Sequence, residues 1–203
     1  MKLYDGGRAP NPRRVRIFLA EKGVSVPLVP VDIMAKDHKT DAFTRMNPMQ
    51  RIPVLELDNG AVISESVAIC RYFEELFPEP ALMGSSPLEK ATIEMWNRRV
   101  ELGIFSAVAA SFRHAHPAMR DLEVPQIGEW AQANREKAIE MMRFLDEELA
   151  GRDFVAGDSY SIADITLYCA IDFCRLPKIE MPEELHHLKD WYERMAARES
   201  AKA

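Results

Sequence analysis

The spacing of hydrophobic positions changes character once along the chain. Up to about residue 77, short apolar runs alternate with stretches of helical spacing; beyond residue 87 only helical spacing remains. Residues 1–4, Met-Lys-Leu-Tyr, predict a short strand ending in the turn-rich run Asp5-Gly6-Gly7-Arg8-Ala9-Pro10-Asn11-Pro12. Val15, Phe18, Leu19 and Lys22 follow at helical spacing from a start near Pro12, and Gly23 supplies the stop. Residues 24–33 alternate as a β-rich stretch, and the polar segment 34–47 predicts a loop with a short helix. Residues 52–57 read as a strand, Asp58-Asn59-Gly60 as a turn and 61–63 as the returning strand, since Asn-Gly is a strong hairpin signal. Ser64-Glu65-Ser66 then leads into a helix with Val67, Ile69, Cys70, Phe73 and Leu76 as its apolar positions.

The order βαβαββα is the thioredoxin-like arrangement, a small mixed sheet with helices on its faces. Residues 77–87 hold three prolines, a glycine and two serines and read as a linker. Four helical stretches follow: 88 to about 112, 126–149, 161–174 and 183–197. Their stripes are Ile127, Trp130, Asn134, Ala138, Met141 and Leu145 on the second and Leu185, Leu188, Trp191 and Met195 on the last. The fold class expected is therefore α/β plus all-α, with a thioredoxin-like domain at 1–80 and a helical bundle at 88–203.

Composition adds exclusions. The formal net charge of -6 argues against a nucleic-acid surface, which needs concentrated Lys and Arg. No leader-like segment opens the sequence and no apolar run approaches membrane-spanning length, so no membrane association is expected. The three cysteines, Cys70, Cys169 and Cys174, lack CxxC or metal-ligand spacing and sit on apolar stripes; a reducing cytoplasm and a core role are the simplest reading, with no metal.

Candidate chemistry gathers at two places. Pro53, at the head of a strand-like run, cannot donate to a sheet. It is explained either as the start of an edge strand or as a cis Ile52–Pro53 bond that turns the Ile52 backbone toward a ligand. Glu65 and Ser66 stand where the hairpin enters a helix. Free N–H groups and the helix dipole there favour an anion, Ser66 adds a hydroxyl donor, and Glu65 can hold an ammonium. Together they suit a zwitterionic amino-acid head group. Ordinary capping by Ser64 or Ser66 is the alternative.

With these features, the runs Asn47-Pro48-Met49-Gln50-Arg51-Ile52-Pro53-Val54-Leu55, Ser64-Glu65-Ser66-Val67-Ala68-Ile69 and Ser161-Ile162-Ala163-Asp164 resemble the glutathione S-transferase family over nearly the whole chain, in particular its bacterial nu-like and beta-like members. Ser161 and Asp164 have capping-box spacing, a folding role. The resemblance implies a cytoplasmic homodimeric enzyme with glutathione as co-substrate. The γ-glutamyl end would meet Glu65 and Ser66, and the cysteinyl backbone would pair with Ile52 beside a cis Pro53. The glycine carboxylate would approach His38 and Lys39, Lys39 above all, with Arg51 or Gln50 assisting.

The loop Ala9-Pro10-Asn11-Pro12 departs from the Tyr, Ser or Cys used by members of the family to activate the thiol. It is similar to the Thr-Pro-Asn-Gly loop of the nu-like members, so Asn11 is the implied thiolate donor; capping of the following helix is its alternative role. Tyr4 and Arg13 are rival donors. A hydrophobic electrophile would bind between the domains against Ala9, Leu102, Phe105, Val108 and Phe112, though plain core packing also explains these side chains. Arg71, Tyr72, Met95 and Arg99 are implied at the dimer surface. The activities left open are conjugation to electrophilic carbon, peroxide reduction and disulfide reduction. A catalytically inactive glutathione-binding or protein-interaction module is the competing class.

Overall fold

A computed structural model describes all 203 residues. They form two compact units, Met1–Ala81 with Glu199–Ala203, and Leu82–Arg198. The sequence division placed the whole of 88–203 in the helical domain. In the structure the last five residues cluster with the first unit, where a 3-10 turn, Glu199–Lys202, packs on the first helix.

The first unit runs β1 (Lys2–Asp5), α1 (Pro10–Glu21), β2 (Leu28–Pro30), α2 (Asp41–Met46), β3 (Val54–Glu56), β4 (Val62–Ser64) and α3 (Ser66–Leu76). The sheet order is β2-β1-β3-β4, with β1 parallel to β2 and the other pairs antiparallel. This is the thioredoxin-like fold. Strand alternation divides the core. Tyr4 and Val54 share a face with Val31, Phe43, Met46 and Ile52, leaving Leu3 and Leu55, both fully buried, to the opposite face.

The expected strand over 24–33 shrinks to three residues, because Pro27 and Pro30 cannot donate to a ladder. Helix α1 starts at Pro10, two residues earlier than expected. Ala9 takes the cap position, and Pro10 and Pro12 occupy the first turn, where a missing N–H costs nothing.

Contacts between α1 and α3 fix their relative direction. Arg14 meets Ser66, and eight residues further along each helix Lys22 meets Glu74. The two helices therefore run parallel with their N-termini side by side. The Lys22 ammonium also donates to the carbonyls of Phe77, at 2.8 Å, and Pro80, closing the C-terminal end of α3.

The second unit holds α4 (Pro87–Val100), α5 (Ser106–Ala115), α6 (Gly128–Leu149), α7 (Ile162–Phe173) and α8 (His186–Ala196). The single helix expected over 88–112 is interrupted by a π turn, Glu101–Phe105, where Ser106 Oγ donates to the Glu101 carbonyl at 2.8 Å. On α6 the buried face is Ala131, Asn134, Ala138, Met142, Leu145 and Leu149. Ile127 and Trp130, expected in that stripe, are half exposed: the helix begins after Ile127 and its inner face is offset by about one residue. Leu185, Leu188, Trp191 and Met195 are all buried as the pattern of the last helix requires.

Helix α7 is buried along nearly its whole length, and the capping box of Ser161 and Asp164 is complete. The Asp164 carboxylate also accepts from Val155 N and Trp191 Nε1, at 2.9 and 3.0 Å, joining three segments of the core. All three cysteines are free and buried, and burial pushes the Cys174 thiol up to about 12. No helix is long and apolar enough to cross a membrane.

Candidate active site

The loop between β1 and α1 is held from beneath. The buried Asp5 carboxylate accepts from the Gly7 amide at 2.8 Å and pairs with Arg16, whose other nitrogen donates to the Gly7 carbonyl. Gly6 lies close against the Ile52 side chain: a Cβ there would stand 2.0 Å from Ile52 Cδ1 and would make that side chain move. The loop is thus brought against the Ile52–Pro53 bond, which is cis. Ile52 lies outside the β3 ladder.

Where the two parallel helices begin, Ser66 Oγ donates toward Asn11 Oδ1 at 3.4 Å and accepts from Arg14 Nη1 at 3.0 Å. Neither α1 nor α3 has a side-chain cap, as is also true of α6 and α8, whereas α2, α4 and α7 are closed by Thr40, Ser86 and Ser161. The capping alternative for Asn11 fails because the residue lies inside the first turn. The alternative for Ser64 or Ser66 fails because Glu65 occupies the cap position. Two uncapped N-termini with a hydroxyl between them bring positive dipole ends to one spot; the orphan N–H groups there come mainly from α3, since Pro10 and Pro12 leave Asn11 as the one N–H among the first three residues of α1.

Glu65 has φ +68° and ψ 117°, a sparsely populated conformation for a residue with a side chain. Such strain costs about 1–3 kcal/mol and collects at functional sites. The Glu65 side chain is exposed and caps nothing, which leaves its carboxylate available beside the helix start.

Further along, the 3-10 turn Asp37–Lys39 presents Lys39 to solvent and buries His38. The His38 imidazole is held below its usual pKa, first by burial and then by the charges of Lys39 and Arg51. That coupling places Lys39 and Arg51 in one basic neighbourhood. Gln50 donates to Thr44 Oγ1 at 3.0 Å.

The rival thiol donors are engaged elsewhere. The Tyr4 hydroxyl donates to Glu56 at 2.8 Å and its ring meets Phe43 edge-on, on the α2 face of the sheet. Arg13 donates to the Ala201 carbonyl at 3.0 Å. In the helical unit, Val108 is fully enclosed and Phe105 nearly so; Leu102 is exposed and Phe112 half-buried, its ring against His116 and Phe173. Arg71 and Tyr72 are half-buried on α3; on α4 Met95 is exposed and Arg99 lies over the Trp96 ring.

Sequence reasoning passed over Arg14. Its spacing from Phe18 sets it on the inner face of α1, but an arginine there reads as solvated, and no pattern marks one as wholly buried.

Comparison with known proteins agrees with this geometry. Residues 1–75 match the glutathione S-transferase N-terminal domain and residues 96–199 the glutathione S-transferase C-terminal domain. Glutathione S-transferase 2 of Saccharomyces cerevisiae is 42% identical over 205 residues, covering 100% of this chain and 88% of the yeast protein. Among solved structures, a glutathione S-transferase domain-containing protein of Marinobacter aquaeolei superposes with a TM-score of 0.96 at 45% identity, over 98% of this chain and 99% of that one. Gtt2 of Saccharomyces cerevisiae gives 0.95 at 41%, over 100% and 99%. The chain belongs to the glutathione S-transferase family. It is an enzyme of that family, with glutathione as co-substrate.

Proposed function

We propose that glutathione lies across the start of α3 and is turned over as a thiolate held at the start of α1. Its γ-glutamyl carboxylate sits on Ser66 and the free amides of α3, and its ammonium on Glu65. The cysteinyl backbone pairs with Ile52 beside Pro53. The glycine carboxylate goes to Lys39 with Arg51, and the buried His38 buttresses that turn. The sulfur lies at the first turn of α1, where the Asn11 amide group donates to it.

The observation that carries this reading is the meeting of Asn11 and Ser66 between two uncapped, parallel helix N-termini. A thiolate is the nucleophile, and lowering its pKa by about 2 units corresponds to about 2.7 kcal/mol of differential stabilisation. A fixed amide donor and a helix N-terminus are of the right size for that. Leu102 and Phe112 are proposed for the wall that receives an apolar electrophile. Val108 and Phe105 support that wall from the core, and Ala9 is the small residue beside the sulfur. The enzyme is further proposed to be a cytoplasmic homodimer that uses Arg71, Tyr72, Met95 and Arg99 at its interface.

Retention on immobilised glutathione, followed by turnover of a chloronitrobenzene, a hydroperoxide and a mixed disulfide, tests the reading and selects the reaction. Retention with turnover of at least one substrate is expected. Failure to bind would overturn the pose, and binding without any turnover would favour the inactive module.

A further inference from the structure

The buried Arg14 points to a recognition device behind the visible binding surface. Arg14 has no solvent exposure, follows Asn11 by three residues on α1, and places Nη1 3.0 Å from Ser66 Oγ. A hydroxyl oxygen that accepts from a guanidinium has its own hydrogen directed away from that guanidinium. In the structure this hydrogen is spent on Asn11 Oδ1 across 3.4 Å, a long contact that exchanges at little cost for a better acceptor.

The charges are also ordered. A permanently ionised guanidinium stands behind Ser66, enclosed where salt screens it poorly, while the exposed Glu65 carboxylate stands next to Ser66 at the same helix start. A cation on one side and an anion on the other match the carboxylate and ammonium of an α-amino-acid head in one orientation only. We propose that Arg14 is a positioning residue that makes the Ser66 hydroxyl selective for the γ-glutamyl α-carboxylate. It works through Ser66 without touching the ligand. This inference rests on the glutathione pose proposed above and adds the group that sets the polarity of that subsite.

The test compares two ligands on three proteins by calorimetry: glutathione, and its des-carboxy analogue γ-aminobutyryl-cysteinyl-glycine, which lacks the α-carboxylate and retains the ammonium, on wild type, Arg14→Met and Arg14→Lys. S-methylation of both ligands keeps the thiol out of the measurement. Wild type is expected to prefer glutathione over the des-carboxy analogue. Arg14→Met is expected to lose about tenfold or more on glutathione and to bind the des-carboxy analogue as wild type does, so that the preference collapses; Arg14→Lys restores part of it.

Equal losses on both ligands, or no loss on either, would overturn the role of Arg14 while leaving the pose intact. A wild type that binds neither ligand would overturn the pose itself. Should Arg14→Met fail to fold, Arg14→Lys carries the comparison: a reduced preference for glutathione supports the role, and an unchanged one contradicts it.

Discussion

Ser66 Oγ lies 3.4 Å from Asn11 Oδ1, although 55 residues separate them in sequence. The contact exists because α1 and α3 are parallel neighbours, keyed by Arg14 on Ser66 at one end and Lys22 on Glu74 at the other. The sites proposed for an anionic head and for a thiolate thereby adjoin within a single unit.

If the Asn11 amide group donates to the thiolate, Asn11→Ala should raise the pKa of the bound thiol by about one unit or more. The pH profile of kcat/KM would then move to higher pH, while the affinity for S-methylglutathione stays close to that of wild type. An unmoved profile would remove Asn11 from the chemistry.

Glu65 holds its strained backbone with a side chain that caps no helix end. Glu65→Gly should therefore raise the midpoint of chemical unfolding, by roughly 0.5–1 kcal/mol, because glycine adopts positive φ freely. The same change should weaken glutathione binding. A variant both less stable and fully binding would show that the strain serves no ligand.

Asp164 serves four donors from Val155, Ser161 and Trp191 with no solvent exposure. Asp164→Ala leaves those donors buried without an acceptor and should cost about 3 kcal/mol or more. Desolvation raises the Asp164 carboxyl from 3.8 to about 6. Between those values the folded chain retains a proton that the unfolded chain has released, so this contribution to stability declines as pH rises across the window and is constant above it. Denaturant titrations across that range should show the decline in wild type and not in Asp164→Asn.

His38 works in the opposite sense. Burial, then Lys39 and Arg51, hold its pKa below 6.5, so on acidification the unfolded chain takes up a proton before the folded one does. The first unit should lose stability as pH falls through about 6.5. His38→Leu should lessen that loss, measured as the difference in unfolding free energy between about pH 8 and about pH 5. An identical pH dependence in the variant would contradict the assignment.

The element order and the position of residues 65 and 66 at the entry to α3 were legible in the sequence because they depend on local signals: the Asn59-Gly60 turn, proline 53 ahead of a strand, and a Ser-Glu-Ser entry to an apolar helix. What depends on three-dimensional register was not. Arg14 stands four residues before Phe18 on the buried face of α1, where an arginine reads from sequence as a solvated side chain rather than a wholly buried one. The π turn at Glu101–Phe105 leaves the apolar spacing around it helical, so 88–112 read as one uninterrupted helix. The strain at Glu65 carries no compositional mark, and the engagement of Tyr4 by Glu56 is a pairing across the sheet, 52 residues apart.

The central claim is that the start of α3 grips the γ-glutamyl head of glutathione. Isothermal titration of wild type and Glu65→Ala with reduced glutathione tests it most directly. Saturable heat in wild type and an affinity lowered at least about tenfold in a folded Glu65→Ala are predicted, the size of a lost charge-assisted bond. Equal affinities for the two proteins, or no heat from wild type at millimolar-scale ligand (~1 mM and above), would contradict it.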